Sequence, residues 1–169
     1  MRTDSLVLRR ATDKDIPLIR SLAEQIWRVS YSGMISEGQI GYMLEWMYSV
    51  ARLGDEFRGG VRYEIVSQQG MTIGYLATAT TEAAVVLHLH KLYLLPEKQG
   101  CGLGHLLLAH TETLARQQGC EVIELRVNKE NARALRAYYR AGFTWVESVV
   151  VEIGGGYVMD DFILRKKVG

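Results

Sequence analysis

The run Leu92-Tyr93-Leu94-Leu95-Pro96-Glu97-Lys98-Gln99-Gly100-Cys101-Gly102-Leu103-Gly104-His105 passes from a strand through a proline and three glycines into an apolar helix. A strand that turns sharply into a helix buries its apolar residues only where sheet and helix share a core, which places the chain in the mixed α/β class. The flanking segments agree. Ser5 to Arg9 reads as a strand, and Thr12, with Asp15 and Pro17 behind it, opens a helix carrying Ile19, Leu22, Ile26 and Trp27 at helical spacing. Ile35 to Val50 is a second helical stretch and Leu53 to Gly60 reads as loop. Val61 to Ser67 and Met71 to Ala79 form a hairpin about Gln68-Gln69-Gly70, and Thr80 to Ala84 leads into a strand from Val85 to Leu95. Beyond the glycine turn come a helix to Gln118, a strand from Glu121 to Val127 and a helix from Asn131 to Ala141. Strands Phe143 to Ile153 and Tyr157 to Lys166 close the chain about Gly154-Gly155-Gly156. The order is β-α-α-β-β-β-α-β-α-β-β: a mixed sheet of about seven strands with helices on both faces.

At 169 residues, the chain is the size of one domain spanning 1–169 and can bury a core without staples. Hydrophobic residues at 48% and charged residues at 23% exclude disorder, a collagen repeat and a disulfide scaffold. A net charge of +1 argues against a nucleic-acid binder, and no apolar run reaches bilayer length. Met1 to Arg10 lacks the apolar stretch of an export signal. Cys101 and Cys120 have no partner at zinc spacing, so reduced thiols in a cytoplasmic protein without a metal are expected.

Glycines remove Cβ atoms, so successive backbone N–H groups converge on an anion, and a helix beginning there adds its unsatisfied N–H groups and the positive end of its dipole. The turn is therefore a candidate phosphate cradle. It is not a P-loop, because His105 follows Gly104 where Lys is required. It is not a dinucleotide fingerprint either, because His105 stands where the third glycine belongs.

A second segment, Asn131-Ala132-Arg133-Ala134-Leu135-Arg136-Ala137-Tyr138-Tyr139-Arg140-Ala141-Gly142-Phe143, follows about thirty residues later. Gln99-x-x-Gly102-x-Gly104 with Asn131-x-x-Ala134-x-x-x-Tyr138-x-x-x-Gly142-Phe143 resembles the GNAT superfamily of N-acetyltransferases, and the element order resembles it along essentially the whole chain. The layout of the early helices is similar to the bacterial polyamine-acetylating branch.

The resemblance implies the acyl-CoA N-acyltransferase fold, acetyl-CoA as co-substrate and direct attack of an amine on the thioester in a ternary complex. Leu92 and Leu94 would contact pantetheine through their main chain, with the amide near Leu92 polarising the thioester carbonyl. Gln99, Gly100, Cys101, Gly102, Leu103, Gly104 and His105 would surround the pyrophosphate. Asn131 would hydrogen-bond the cofactor, and Tyr138 would protonate the departing CoA thiolate. Tyr139, about 100° round the helix, is assigned to packing.

Many members carry a glutamate base on the strand before the turn; here those positions hold His88 and His90, which alternate onto one face. An imidazole suits proton removal from an ammonium near neutral pH. Glu124 is an alternative base, and Arg126 stands where some relatives place a glutamate. Trp27, Tyr31, Trp46 and Tyr48 lie in or beside the early helices that wall the acceptor pocket in the family, with Trp27 and Tyr31 as substrate contacts. Glu24, Glu37 and Glu45 could draw in a cation. The acceptor expected is a primary amine of a small molecule or peptide, and dimerisation is common in the superfamily. The rival readings are a non-catalytic CoA-binding or regulatory module on the same fold and, more distantly, a nucleotide-dependent transferase.

Overall fold

The computed structural model describes residues 5–81 and 85–169, so the chain's first four residues and part of the link expected at Thr80 to Ala84 lie outside the described residues. Seven strands form one sheet in the order β1-β2-β3-β4-β5-β7-β6. They are β1 (Leu6–Arg10), β2 (Arg62–Gln68), β3 (Met71–Thr80), β4 (Val86–Leu94), β5 (Val122–Asn128), β6 (Thr144–Gly154) and β7 (Tyr157–Lys167). Five α-helices accompany them: α1 (Ile16–Ser30), α2 (Glu37–Met47), α3 (Val50–Arg58), α4 (Leu103–Gln117) and α5 (Ala132–Arg140). Among the described residues no helix is long and apolar enough to cross a membrane.

The chain forms two compact units. The first comprises Met1–Thr78 and Lys91–Cys101. Here α1 buries Ile16, Ile19, Leu22, Ala23, Ile26 and Trp27, the three-and-four spacing of a single apolar stripe. Thr12 and Asp15 exchange the two bonds of a capping box just ahead of it. β1 runs antiparallel to β2 from Leu6↔Gln68 to Arg10↔Glu64. β2 and β3 form the expected hairpin, with Gln69 (φ 52°) and Gly70 (φ 76°) both left-handed, as a two-residue turn matched to strand twist requires. At Gly74 on β3, a Cβ would lie 2.2 Å from the Tyr93 carbonyl oxygen of β4, so only glycine lets the two backbones approach this closely.

The segment Leu53 to Gly60, read above as loop, is mostly helix, which raises the helix count by one. Ser49 Oγ accepts from Arg52 N at 3.1 Å and caps α3, Leu53 is fully buried, and Phe57 packs on Tyr63 with ring centroids 5.1 Å apart. Gly54 within the helix and Gly59-Gly60 behind it dilute the signal to the eye, but burial of one face overrides local propensity.

The second unit comprises Ala79–His90 and Gly102–Gly169. β4 and β5 are parallel from Val86↔Val122 to Leu89↔Leu125, where that ladder ends although β4 itself continues to Leu94. β5 pairs with β7, and β7 with the outer strand β6, both antiparallel. Leu107, Leu114 and Ala115 of α4 join Leu87, Ile123, Leu125 and Leu164 of the strands in the buried interior.

Candidate functional site

Within the first unit, Leu92 and Leu94 lie on β4 beyond the last residue paired with β5. The turn follows: Gly100 has φ 78°, and Gln99 Nε2 donates to Ser30 Oγ and to the Leu94 carbonyl, both at 3.1 Å. That side chain thus ties the turn to α1 and to the end of β4. Cys101 is exposed, with its thiol donating to Lys98 O at 3.0 Å.

The same unit holds a row of aromatic rings that the sequence only partly announces. Trp27 is 1% exposed, with ring centroids 4.5 Å from Tyr31, 5.8 Å from Tyr48 and 5.7 Å from Tyr93. Tyr75 stands 6.1 Å from Tyr48 and 5.6 Å from Tyr93. Phenols pair inside it, Tyr31 with Tyr93 at 3.1 Å and Tyr48 with Tyr75 at 2.7 Å. Burial raises the pKa values of Tyr48 and Tyr75 far above that of a free phenol, so both stay protonated. Of the two expected substrate contacts, Trp27 forms the buried centre of this row and Tyr31 its half-exposed end.

Lys91 was absent from the expected site, yet its side chain is 4% exposed at the inner end of the row. Its Nζ donates to Tyr63 Oη and lies 3.4 Å from Glu56 Oε2, with the Tyr48 ring centroid 4.3 Å away. Tyr63 Oη in turn donates to Glu56 Oε2 at 2.7 Å. Burial pulls the Lys91 pKa down to about 8, with Glu56 opposing that shift. The available signal was alternation: Leu87, Leu89, Lys91 and Tyr93 share a face of β4, so a lysine there falls on the inward side.

Beside the row, a cavity of about 630 Å³ opens between α1 and α2, lined by residues that include Glu24, Glu37, Glu45, Tyr42 and Tyr48. Arg28 is paired with Glu24, and Arg20 Nε donates to the Tyr48 carbonyl at 2.8 Å. Both cavity arginines therefore have partners of their own, while Glu37 and Glu45 have no ion-pair partner among the described residues.

In the second unit, α4 begins at Leu103 behind Gly102, which has φ 82° and supplies no side-chain cap, so the first-turn N–H groups of Leu103, Gly104 and His105 lack the usual side-chain acceptor. A Cβ on Gly102 or Gly104 would find no other atom within 4 Å. That glycine-edged space beside a helix N-terminus fits a phosphate group. Asn131 caps α5, its Oδ1 accepting from Ala134 N at 3.2 Å. Tyr138 is half-buried, its ring edge-on to Phe143 at 5.7 Å. Tyr139, assigned to packing, is instead 45% exposed, because the α5 face it occupies is turned to solvent.

His88 and His90 do share a face, their rings 4.3 Å apart and edge-on. His88 is half-buried, and burial lowers its pKa, which Glu124, 3.8 Å from Nδ1, partly offsets. Burial thus favours the neutral imidazole. Glu124, the alternative base, is itself bound by Arg165 at 2.6 Å through Oε2. His90 is exposed. Among the described residues no three His, Cys, Asp or Glu side chains gather as a metal site.

Asp161, on β7 opposite Asn128 and Val149, is 3% exposed, and burial lifts its pKa to about 6 against the pull of Arg126. The folded chain therefore holds this proton more tightly than the unfolded chain, so the contribution of Asp161 to stability is lost as pH rises from about 4 through 6. Asp161→Asn is expected to be more stable than wild type at pH 7 by about 2 kcal/mol, the two converging near pH 4. Urea unfolding at a series of pH values measures this; parallel curves for the two proteins would contradict it.

The family model described as the acetyltransferase (GNAT) family matches residues 21–143. The chain is 27% identical to the spermidine N(1)-acetyltransferase of Thermoplasma acidophilum, over 96% of this chain and 98% of that protein. The crystal structure of the PaiA N-acetyltransferase of Thermoplasma acidophilum in complex with coenzyme A aligns with a TM-score of 0.80 and 25% identity, over 96% of this chain and 99% of that one. The yncA protein of Salmonella typhimurium, solved with its cofactor acetyl-CoA, shares the fold at a TM-score of 0.66 and 19% identity, covering 98% and 95% of the two chains.

Proposed function

This chain belongs to the acetyltransferase (GNAT) family, and from that premise we propose that its acceptor is a primary amine of a small polycation, attacked directly while the acetyl donor is bound. The activity is acetyl-CoA-dependent N-acetylation, and acetyl-CoA supplies the acetyl thioester. The main chain of Leu92 and Leu94 lies against pantetheine, and the Leu92 N–H steadies the charge that grows on the thioester oxygen. Gly100, Gly102 and the first turn of α4 take the pyrophosphate, with Cys101, Leu103 and His105 contributing backbone to the same turn. The Gln99 side chain holds the turn in place, and Asn131, which caps α5, hydrogen-bonds the cofactor. Tyr138 gives its phenolic proton to the leaving sulfur, and neutral His88, with His90 beside it, receives the proton of the attacking amine.

One observation carries the acceptor assignment: the cavity between α1 and α2 presents Glu37 and Glu45, which have no ion-pair partner among the described residues, next to an aromatic row. Carboxylates and ring faces together suit an alkylammonium chain. The full-length similarity to a spermidine N(1)-acetyltransferase supports the same choice. Free-thiol release from acetyl-CoA with spermidine, putrescine, a neutral aryl amine and an N-terminal peptide tests it. The polyamines are expected to be turned over with the highest kcat/KM, and Glu37→Gln with Glu45→Gln should raise the spermidine KM about tenfold while leaving kcat nearly unchanged. Preference for the neutral amine or the peptide would overturn the assignment.

A further inference from the structure

We propose that Lys91 is a positioning residue for the acceptor: a buried positive charge at the inner end of the aromatic row, which at neutral pH disfavours a second charge there and so raises the share of acceptor amine held as the uncharged nucleophile. The inference rests on the acceptor reading above and adds to it how the amine is deprived of its proton.

The row has an outer end and an inner end. Tyr31 and Tyr93 are half-exposed at the outer end, whereas Tyr48 and Tyr75 are fully buried further in. Lys91 lies two residues before Tyr93 on the same face of β4, about 6.6 Å along the strand. Every element packed against it contributes. Glu56 and Arg52 come from α3, Tyr63 from β2, and Tyr48 from the end of α2. Glu56 and the Tyr48 and Tyr63 rings favour the charged ammonium, whereas burial and Arg52 oppose it. The ammonium thus persists at neutral pH, with its donors directed at Tyr63 and Glu56.

Such a lysine is poorly explained as packing, because an apolar side chain would fill the position without the desolvation cost. It also occupies the cation–π position over Tyr48, so an incoming ammonium finds the inner end of the row already taken. An amine held at the Tyr31–Tyr93 end would sit roughly 10 Å from the Lys91 charge. At an effective dielectric constant of about 20, repulsion over that distance lowers the amine's own pKa by about one unit. The distal ammonium groups of a polyamine would remain with the carboxylates of the α1–α2 cavity.

The test follows kcat and KM for spermidine from about pH 6 to about pH 10 in wild type, Lys91→Met, Lys91→Arg and the double variant Glu56→Gln/Lys91→Met, which removes both charges together should the single change fail to fold. Below the pH at which Lys91 loses its charge, the neutral variants are expected to lower kcat and KM together by about tenfold and leave kcat/KM near wild type, because more of the bound amine then carries a proton. The difference should vanish above about pH 9, where Lys91 of the wild type is itself neutral, while Lys91→Arg keeps kcat and KM at wild-type values near pH 6. A residue that only supports the fold would lower kcat alike at every pH, and that result overturns the proposal. Linkage supplies a second reading that needs no variant: saturating spermidine should lower the pH at which the Lys91 ¹³Cε resonance titrates by the same unit. An unmoved resonance overturns the proposal equally. Wild type that binds CoA but does not turn over spermidine defeats the acceptor reading and this proposal together. Turnover in which the neutral variants keep wild-type kcat and KM near pH 6 defeats the role of Lys91 alone.

Discussion

Tyr138→Phe is expected to lower kcat by about 10²–10³-fold while leaving CoA affinity within about twofold of wild type. The substitution removes a single oxygen from a half-buried ring that packs edge-on against Phe143, and the ring itself remains to fill the same space. Folding should therefore be spared. The loss falls on the chemical step, because without the phenol the sulfur must leave as a thiolate that water protonates afterwards. An ordinary phenol, with a pKa of about 10, is a weaker acid than a thiol of about 8.5, so its contribution depends on being placed in line with the sulfur. Single-turnover kinetics beside calorimetric CoA titration separate the two quantities. Unchanged turnover would remove Tyr138 from the mechanism, and a parallel loss of CoA affinity would make it a binding residue instead.

The second large effect is expected at Gly104, and it has opposite signs on stability and on binding. In the first turn of α4, a Cβ here would meet no other atom within 4 Å, so Gly104→Val should fold normally and gain a few tenths of a kcal/mol from relief of glycine's conformational entropy. The added methyl groups would occupy the space against which a pyrophosphate must lie to reach the first-turn N–H groups. CoA binding is expected to weaken by about 10²–10³-fold, a figure that corresponds to losing several charge-assisted bonds. Thermal melting and isothermal titration on the same sample measure both. A variant that melts at or above wild type and still binds CoA at full strength would show that the phosphates rest elsewhere.

Much of this site could be read from the sequence because glycine and proline act locally. Pro96 stops a strand, Gly100 and Gly102 permit the left-handed backbone found there, and the apolar run after them reads as a helix, so the turn at residues 99–105 was legible from its residues alone. The helix that carries Asn131 and Tyr138 was legible for a similar reason, since Gly142 stops it, whereas the roles of those two side chains rest on the family resemblance. What escaped is what depends on contacts distant in sequence. Lys91 becomes informative only when Glu56, 35 residues away, and Tyr63, 28 residues away, are brought to it. Tyr75 and Tyr93 become part of the row only when the hairpin and β4 set Tyr75 against Tyr93 and Tyr93 against Trp27. The α3 helix was hidden by its glycine content, a local signal that burial of Leu53 and packing of Phe57 on Tyr63 outweigh. Tyr139 failed in the other direction: helical spacing tells which residues share a face, but not which face meets solvent.

The amide of Gln99, held between Ser30 and the last carbonyl of β4, has a consequence for speed as well as for shape. A phosphate-receiving turn fastened to the neighbouring helix before any nucleotide arrives need not surrender freedom when one does. Capture of the acyl donor should then proceed in a single concentration-dependent phase, with no slower rearrangement of the protein trailing behind it.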